Sequence, residues 1–122
     1  MKPYCYVAEV VDVYDGDTCT CIVDLGFKTF IKVKIRLSGI DTPEIRTKDL
    51  IEKKKGYESK SWLSDKILGK KVLLHTNKKG KFGRWLGSIW SIDEEITNKE
   101  NSYNIKMINE GYAKPYDGGK RK

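Results

Sequence analysis

"FKTFIKVKIRL", residues 27–37, alternates with a period of two: Phe27, Ile31, Val33, Ile35 and Leu37 share one side, and Lys28, Lys32, Lys34 and Arg36 the other. Successive side chains of an extended chain point to opposite faces, so this is a half-buried strand with an apolar inner face and a basic outer one. Upstream, residues 4–14 and 18–25 read as two further strands, the second carrying Cys19, Cys21, Val23 and Leu25 on one side. A turn near Gly26 joins it to the third, giving a meander. Downstream, Ser59, Trp62, Leu63 and Ile67 recur at helical spacing, which predicts a helix over 57–68 stopped by Gly69. "KKVLLHT" (70–76) and "RWLGSIWSI" (84–92) read as two short strands joined by the glycine-broken basic loop "NKKGKFG" (77–83). A last helix over 102–110 carries Ile105 and Ile108 and ends at Gly111. Five short strands, with one helix after the third and another after the fifth, predict an α+β fold. The expected form is a small five-stranded OB-type β-barrel with two or three helices, a face of which commonly binds oligonucleotides. One domain over 1–116 is expected, followed by a basic flexible tail, "DGGKRK", at 117–122.

The chain's 122 residues suffice for one core but not for two independent ones. Twenty-four Lys plus Arg against seventeen Asp plus Glu leave a net charge of +7. That favours an anionic partner, and nucleic acid ahead of a membrane surface, because the sequence holds neither an apolar run of about 18 residues nor a strongly amphipathic basic helix. Only Arg36, Arg46, Arg84 and Arg121 carry guanidinium groups, whose planar fork suits bidentate phosphate contact better than a lysine does. Cys5, Cys19 and Cys21 fit neither a disulfide framework nor a common zinc spacing, and read as small strand residues in a reducing compartment. The first residues, "MKPYCYVAEVVDVY", lack an apolar core and a small-residue cleavage site, so the expected address is cytoplasmic, or secreted if a leader has been removed.

The acids tell more than the bases. "VYDGDT" (13–18) sets Asp15 and Asp17 one glycine apart at a turn, and "IDTPEIR" (40–46) sets Asp41 and Glu44 just past the strand that carries Arg36. Each has an ordinary reading: "DGD" is a turn signal, and an Asp or Thr followed by Pro and Glu is capping-box chemistry for a helix start. Together they say more, because a meander can bring the first turn and the end of the third strand to one rim. Two unit charges about 4 Å apart repel by about 4 kcal/mol at an effective dielectric near 20, so such a cluster needs cations. Oxygen donors without a His or Cys set suit a hard ion such as Ca²⁺. Arg36 and Arg84 could supply further positive charge, leaving room for a phosphate.

These residues carry a resemblance to the staphylococcal-nuclease-like, or thermonuclease, family. It runs through "VYDGDT", "IRLSGIDTPE" with its arginine five residues before the aspartate, "GYESKSWL", "KFGRWLGSIW" and "INEGYAKPY", and covers about residues 7–116. The resemblance implies an OB-type barrel with helices and Ca²⁺-dependent hydrolysis of phosphodiester bonds in DNA and RNA, leaving 3′-phosphate and 5′-hydroxyl ends. It implies Asp17 and Asp41 as carboxylate ligands of the calcium, the main-chain oxygen of Thr42 as a third ligand, and Asp15 as an outer, water-mediated acid. Glu44 matches the residue that activates the attacking water, and Arg36 and Arg84 match the pair that grips the scissile phosphate. Phe82 stands where members often have a tyrosine, and Tyr116 is a candidate for stacking on a base. Lone His75, in an apolar strand, is read as having no role in the site. The expected partner is DNA and/or RNA, not a membrane, with the protein a monomer.

Two other readings compete. One is a non-catalytic OB-type module that holds nucleic acid without cutting it; the other is a calcium-stabilised structural domain whose basic charge aids solubility. The presence of Asp17, Arg36, Asp41, Glu44 and Arg84 together favours the enzyme.

Overall fold

A computed structural model describes residues 3–80, 82–93 and 98–116; Lys81 and the expected tail lie outside the described residues. The chain runs β1 (Cys5–Asp15), β2 (Thr18–Asp24), β3 (Phe30–Leu37), β4 (Ile40–Asp41), α1 (Leu50–Ile67), β5 (Lys71–Lys79), β6 (Arg84–Ser91), a 3₁₀ turn at Lys99–Asn101, α2 (Tyr103–Asn109) and β7 (Lys114–Pro115). Strands in the order β1-β2-β3-β6-β5 close into a barrel, because β5 pairs back onto β1. Only β3 and β6 run parallel; the other barrel pairs are antiparallel. β4 and β7 form a separate two-stranded ribbon with Asp41 opposite Lys114. The sequence reading lacked that ribbon, since two-residue strands leave no periodicity to detect.

Alternation builds the core. Val10, Cys19, Cys21, Ile35, Leu37, Leu74 and Ile89 are fully buried inside the barrel, and Leu63 and Ile67 of α1 join them. Each such aliphatic side chain contributes about 1.5–3 kcal/mol relative to an exposed one. Along β3 burial falls off from one end: Leu37 and Ile35 are at 0% exposure, Val33 is half-buried and Ile31 is 43% exposed. Phe27, expected on the inner face, is instead 102% exposed. It and Lys28 adopt positive φ values of 55° and 58° in the turn, so the period ends at Phe30. The cysteines are free, with the Cys19 and Cys21 thiols 3.8 Å apart in the core. The hydrogen bond to Cys21 and burial push the Cys19 thiol well above its ordinary pKa, as suits a packing residue.

Helix α1 begins seven residues before the expected start at Tyr57. The Asp49 carboxylate caps it, accepting from Ile51 N and Glu52 N at 3.0 and 3.3 Å. The capping-box reading of Asp41–Glu44 fails, since no helix starts there; the D-x-x-E spacing that does cap a helix is Asp49–Glu52. Gly56, which sequence logic treats as a boundary, lies inside the helix for a steric reason. A Cβ built there would come within 2.8 Å of both the Pro43 and Glu44 carbonyl oxygens. Alanine normally gains about 1 kcal/mol over glycine in a helix interior, but backbone oxygens cannot give way as a side chain does. Gly56→Ala is therefore expected to destabilise the protein by about 1–3 kcal/mol and to displace the loop bearing Glu44. Thermal denaturation checks the sign.

Helix α2 falls within the expected segment. Asn104 and Met107 are its buried residues, while the predicted Ile105 and Ile108 are half-buried, Ile108 packing against the core. The Asn104 side chain accepts from Ile89 N at 3.2 Å and donates to the Ser38 and Gly87 carbonyls at 2.8 and 3.1 Å. A buried amide with these bonds satisfied locks α2 across the point where the parallel pairing of β3 with β6 ends, at Leu37 and Gly87.

Candidate functional site

One rim of the barrel gathers the ends of several elements. The β1–β2 turn supplies Asp15 and Asp17, the end of β3 supplies Arg36, β4 and its following loop supply Asp41, Thr42 and Glu44, and the start of β6 supplies Arg84. All seven, together with Phe82 and Tyr116, line one cleft of about 720 Å³; Lys78, Lys79, Gly80 and Leu86 complete much of its wall. Every residue singled out from the sequence as a site candidate thus opens onto the same space. Lys78 and Lys79, expected in the basic loop 77–83, also face it, because β5 continues beyond residue 76 past an irregularity between His75 and Lys78. His75 is not among the cleft's lining residues.

Asp17 is the hub. It is 7% exposed, and its carboxylate accepts from Thr18 Oγ1 at 3.1 Å, Thr42 Oγ1 at 3.1 Å and Thr42 N at 3.3 Å. Its carbonyl accepts from Leu37 N at 2.8 Å, which ties the turn to the end of β3. Gly16 makes the approach possible, since a Cβ there would sit 2.7 Å from Ser59 Cβ and 2.9 Å from Thr42 Cγ2. Arg36 lies between the acids, with Nη2 3.5 Å from Asp17 Oδ2 and 3.6 Å from Asp41 Oδ1, while Nη1 donates to Leu37 O at 2.8 Å.

The paired aspartates titrate apart. Burial, followed by the hydrogen bond and the charge of Asp17, pushes Asp15 up to about 6. Burial also acts to raise Asp17, but its hydrogen bonding with Asp15, the Arg36 guanidinium, and the Thr42 and Thr18 hydroxyls outweigh it and hold Asp17 below the usual carboxylate range. A group whose folded pKa exceeds its unfolded value contributes stability at low pH that is lost as pH rises through the folded value. Asp15 therefore costs the cation-free protein stability above about pH 6. An asparagine in its place would keep an acceptor for Asp17 N, which bonds Asp15 Oδ1 at 3.0 Å. In chelator, Asp15→Asn should raise the melting temperature at pH 7.5 and change it little at pH 4; a lower melting temperature at pH 7.5 would contradict the assignment.

Helix α1 holds the Glu44 segment through a bond that the sequence reading did not anticipate. Glu52, at the third helical position after its Asp49 cap, accepts from Glu44 N at 3.0 Å. The acid that ordinarily turns back to its own helix start is diverted to the site loop, and Asp49 N bonds Thr47 Oγ1 at 3.2 Å instead. Its signal was the D-x-x-E spacing, hidden because the helix was started too late. Both cleft arginines have an aromatic neighbour: Arg36 Cζ lies 5.8 Å from the Tyr116 ring centroid and Arg84 Cζ 5.7 Å from that of Phe82. Arg84 also reaches Thr18 Oγ1 at 3.5 Å. Phe82 is 87% exposed with φ of 60°, a strained placement for a bulky residue at a cleft edge.

The donor set is all oxygen. Among the described residues no three His, Cys, Asp or Glu side chains group closely enough to hold a metal on their own. An ion here would take Asp17 and Asp41 and complete its shell from main-chain oxygen, water or ligand, as hard cations do. The fit is supported by what occupies the space between those carboxylates now, a cationic guanidinium nitrogen within 3.6 Å of each. No helix among the described residues is long and apolar enough to cross a membrane.

A closed five-stranded barrel with this helix arrangement is the OB-type α+β fold of staphylococcal-nuclease-like proteins. The sequence profile of the family described as staphylococcal nuclease homologue matches residues 34–122, and the chain belongs to that family. It is similar to an uncharacterised protein of Methanocaldococcus jannaschii, at 31% identity over 91% of this chain and 59% of the relative. Protein ParB of Escherichia coli is 29% identical over 88% of this chain and 56% of its own length. A Haemophilus influenzae protein named an uncharacterised endonuclease is 33% identical over 88% and 51%. The chain thus spans between about half and three-fifths of the length of these relatives.

Proposed function

We propose that the protein is a Ca²⁺-dependent nuclease that hydrolyses phosphodiester bonds of DNA and/or RNA to 3′-phosphate and 5′-hydroxyl ends. The observation that carries this reading is the convergence of Asp17, Arg36, Asp41, Glu44 and Arg84, far apart in sequence, on one cleft. Family membership supports it, as does the similarity to a protein named an endonuclease.

Hydrolysis of a phosphodiester requires an in-line water, a place for its proton, and positive charge on the non-bridging oxygens. Asp17 and Asp41, with the Thr42 carbonyl and, through water, Asp15, would hold the ion. Bound there, calcium supplies Lewis-acid polarisation of a phosphate oxygen and of water. Arg84 faces the same cleft from β6, beside Phe82, and offers a planar donor pair to the phosphate. Arg36, at the end of β3 and beside both aspartates, borders the cleft and would face the phosphate from there. Glu44 accepts the water's proton or orients the water, with its main chain fixed by Glu52. A base in that role contributes typically about 10²–10⁴ in rate.

A fluorescent oligonucleotide incubated with calcium, and separately with chelator, separates the readings. Cleavage only with calcium, greatly slowed in Glu44→Gln, supports the enzyme. Uncut but retarded oligonucleotide would replace it with a binding module, and neither cleavage nor retardation would leave a structural domain.

A further inference from the structure

The outer face of β3 carries Phe30, Lys32, Lys34 and Arg36 in succession, and only Arg36 of these lines the cleft. Lys32 and Lys34 are exposed, Phe30 is 59% exposed, and neither lysine is held in an ion pair among the described residues. Their cross-strand neighbours do not balance them. On β2, Thr18, Thr20 and Ile22 stand opposite Arg36, Lys34 and Lys32, and on β6 the partner of Lys34 is Arg84. Like charges set directly opposite each other cost a sheet stability, so a face serving only solubility would place acids there. The acids lie elsewhere: Glu9 and Asp12 are one strand further out on β1, opposite Ile22 and Thr20. Asp24, opposite Phe30, is turned to the backbone of the hairpin, accepting from Gly26 N at 2.8 Å.

We propose that this face is a track for single-stranded nucleic acid leaving the cleft, with Lys34 and Lys32 taking successive phosphates beyond the one at Arg36 and Phe30 stacking on an unpaired base. Alternate residues of a strand are about 6.7 Å apart. An extended single strand spaces its phosphates at about twice the ~3.4 Å per-strand rise of a duplex, so one lysine meets each phosphate. A basic row ending in an exposed aromatic ring is the combination that binds single strands without regard to sequence. The β1 acids bound the track on one side, and Arg84 extends it on the other. The inference rests on the nuclease reading for its starting point at Arg36, but it concerns binding and is testable without cleavage.

The test is fluorescence anisotropy in chelator with a single-stranded octanucleotide and a dinucleotide. Wild type should bind the octamer at least about tenfold more tightly than the dinucleotide. Lys32→Ala/Lys34→Ala should remove about tenfold of the octamer affinity and lower the slope of log K against log salt by about 1.4, at ~0.7 for each phosphate that no longer meets a lysine. Dinucleotide binding should be unchanged. Phe30→Ala should weaken the octamer without altering that slope, because stacking releases no counterion. Lys54→Ala/Lys66→Ala, which removes equal charge from α1, should leave the octamer affinity within about twofold. Octamer affinity unchanged in the β3 double variant, or reduced equally by the α1 pair, overturns the track. Parallel assays with calcium keep the two readings apart: cleavage without length-dependent binding retains the nuclease and rejects the track. Length-dependent binding lost in the β3 variant but no cleavage retains the track and rejects the nuclease.

Discussion

Arg84→Ala is expected to lower kcat by about 10²–10³ while leaving the melting temperature and calcium affinity close to wild type. Arg84 borders the cleft at the first residue of β6, where it meets Thr18 Oγ1 at 3.5 Å and the exposed Phe82 ring. Thr18 is buried, but its contact with Arg84 is long at 3.5 Å, and the Phe82 ring is 87% exposed, so the loss is expected to fall on charge developing at the phosphate. Arg36→Ala should behave differently. Its guanidinium lies 3.5 and 3.6 Å from two buried carboxylates, so its removal takes positive charge away from both in the cation-free protein. Removing one partner of a buried ion pair costs about 3–5 kcal/mol, discounted here because an added cation can take the vacated position. Arg36→Ala is accordingly expected to lose turnover, to lose stability in chelator, and to recover most of that stability in calcium. Thermal melts in both conditions, run beside single-turnover assays, separate the two arginines; identical profiles would remove the distinction between them.

The second large effect is at Asp17. Its carboxylate receives both Thr42 donors and the Thr18 hydroxyl and faces Arg36, so it joins the β1–β2 turn to the segment after β4. Asp17→Ala would strand these donors in a buried setting, at about 1–3 kcal/mol for the unsatisfied groups. It would also remove one of the two buried carboxylates, Asp17 and Asp41, that flank the Arg36 guanidinium and can face a common ion. Abolished calcium binding and abolished cleavage are expected, together with a lower melting temperature. Asp17→Asn keeps acceptor capacity and should regain part of the stability but none of the cleavage. Cleavage retained in either variant would place the ion elsewhere.

Some of this was legible in the sequence for physical reasons. Alternation in 27–37 marks a strand because burial rises steadily toward Leu37, and the Arg36-to-Asp41 spacing carries the chain around one corner onto β4 at the same rim. What escaped depends on contacts across the molecule. Gly56 looks like a helix breaker until the carbonyls of Pro43 and Glu44 are seen against it. Asn104 looks like a surface residue until three main-chain groups are found to need it. Glu52 had a local use as a capping residue, and only the fold shows it bonded to Glu44 N instead. Phe27 was misplaced because a period of two continues on paper after the backbone has turned.

The central claim is that the acids and arginines of one rim cut a phosphodiester with calcium. It is tested most directly by single-turnover cleavage of an end-labelled oligonucleotide across a calcium titration, with wild type and Glu44→Gln side by side. Wild type should cut with a rate that saturates in calcium, and Glu44→Gln should be slower by about 10² or more at an unchanged half-saturating concentration. Cleavage that persists in chelator, or that is undiminished in Glu44→Gln, would contradict it.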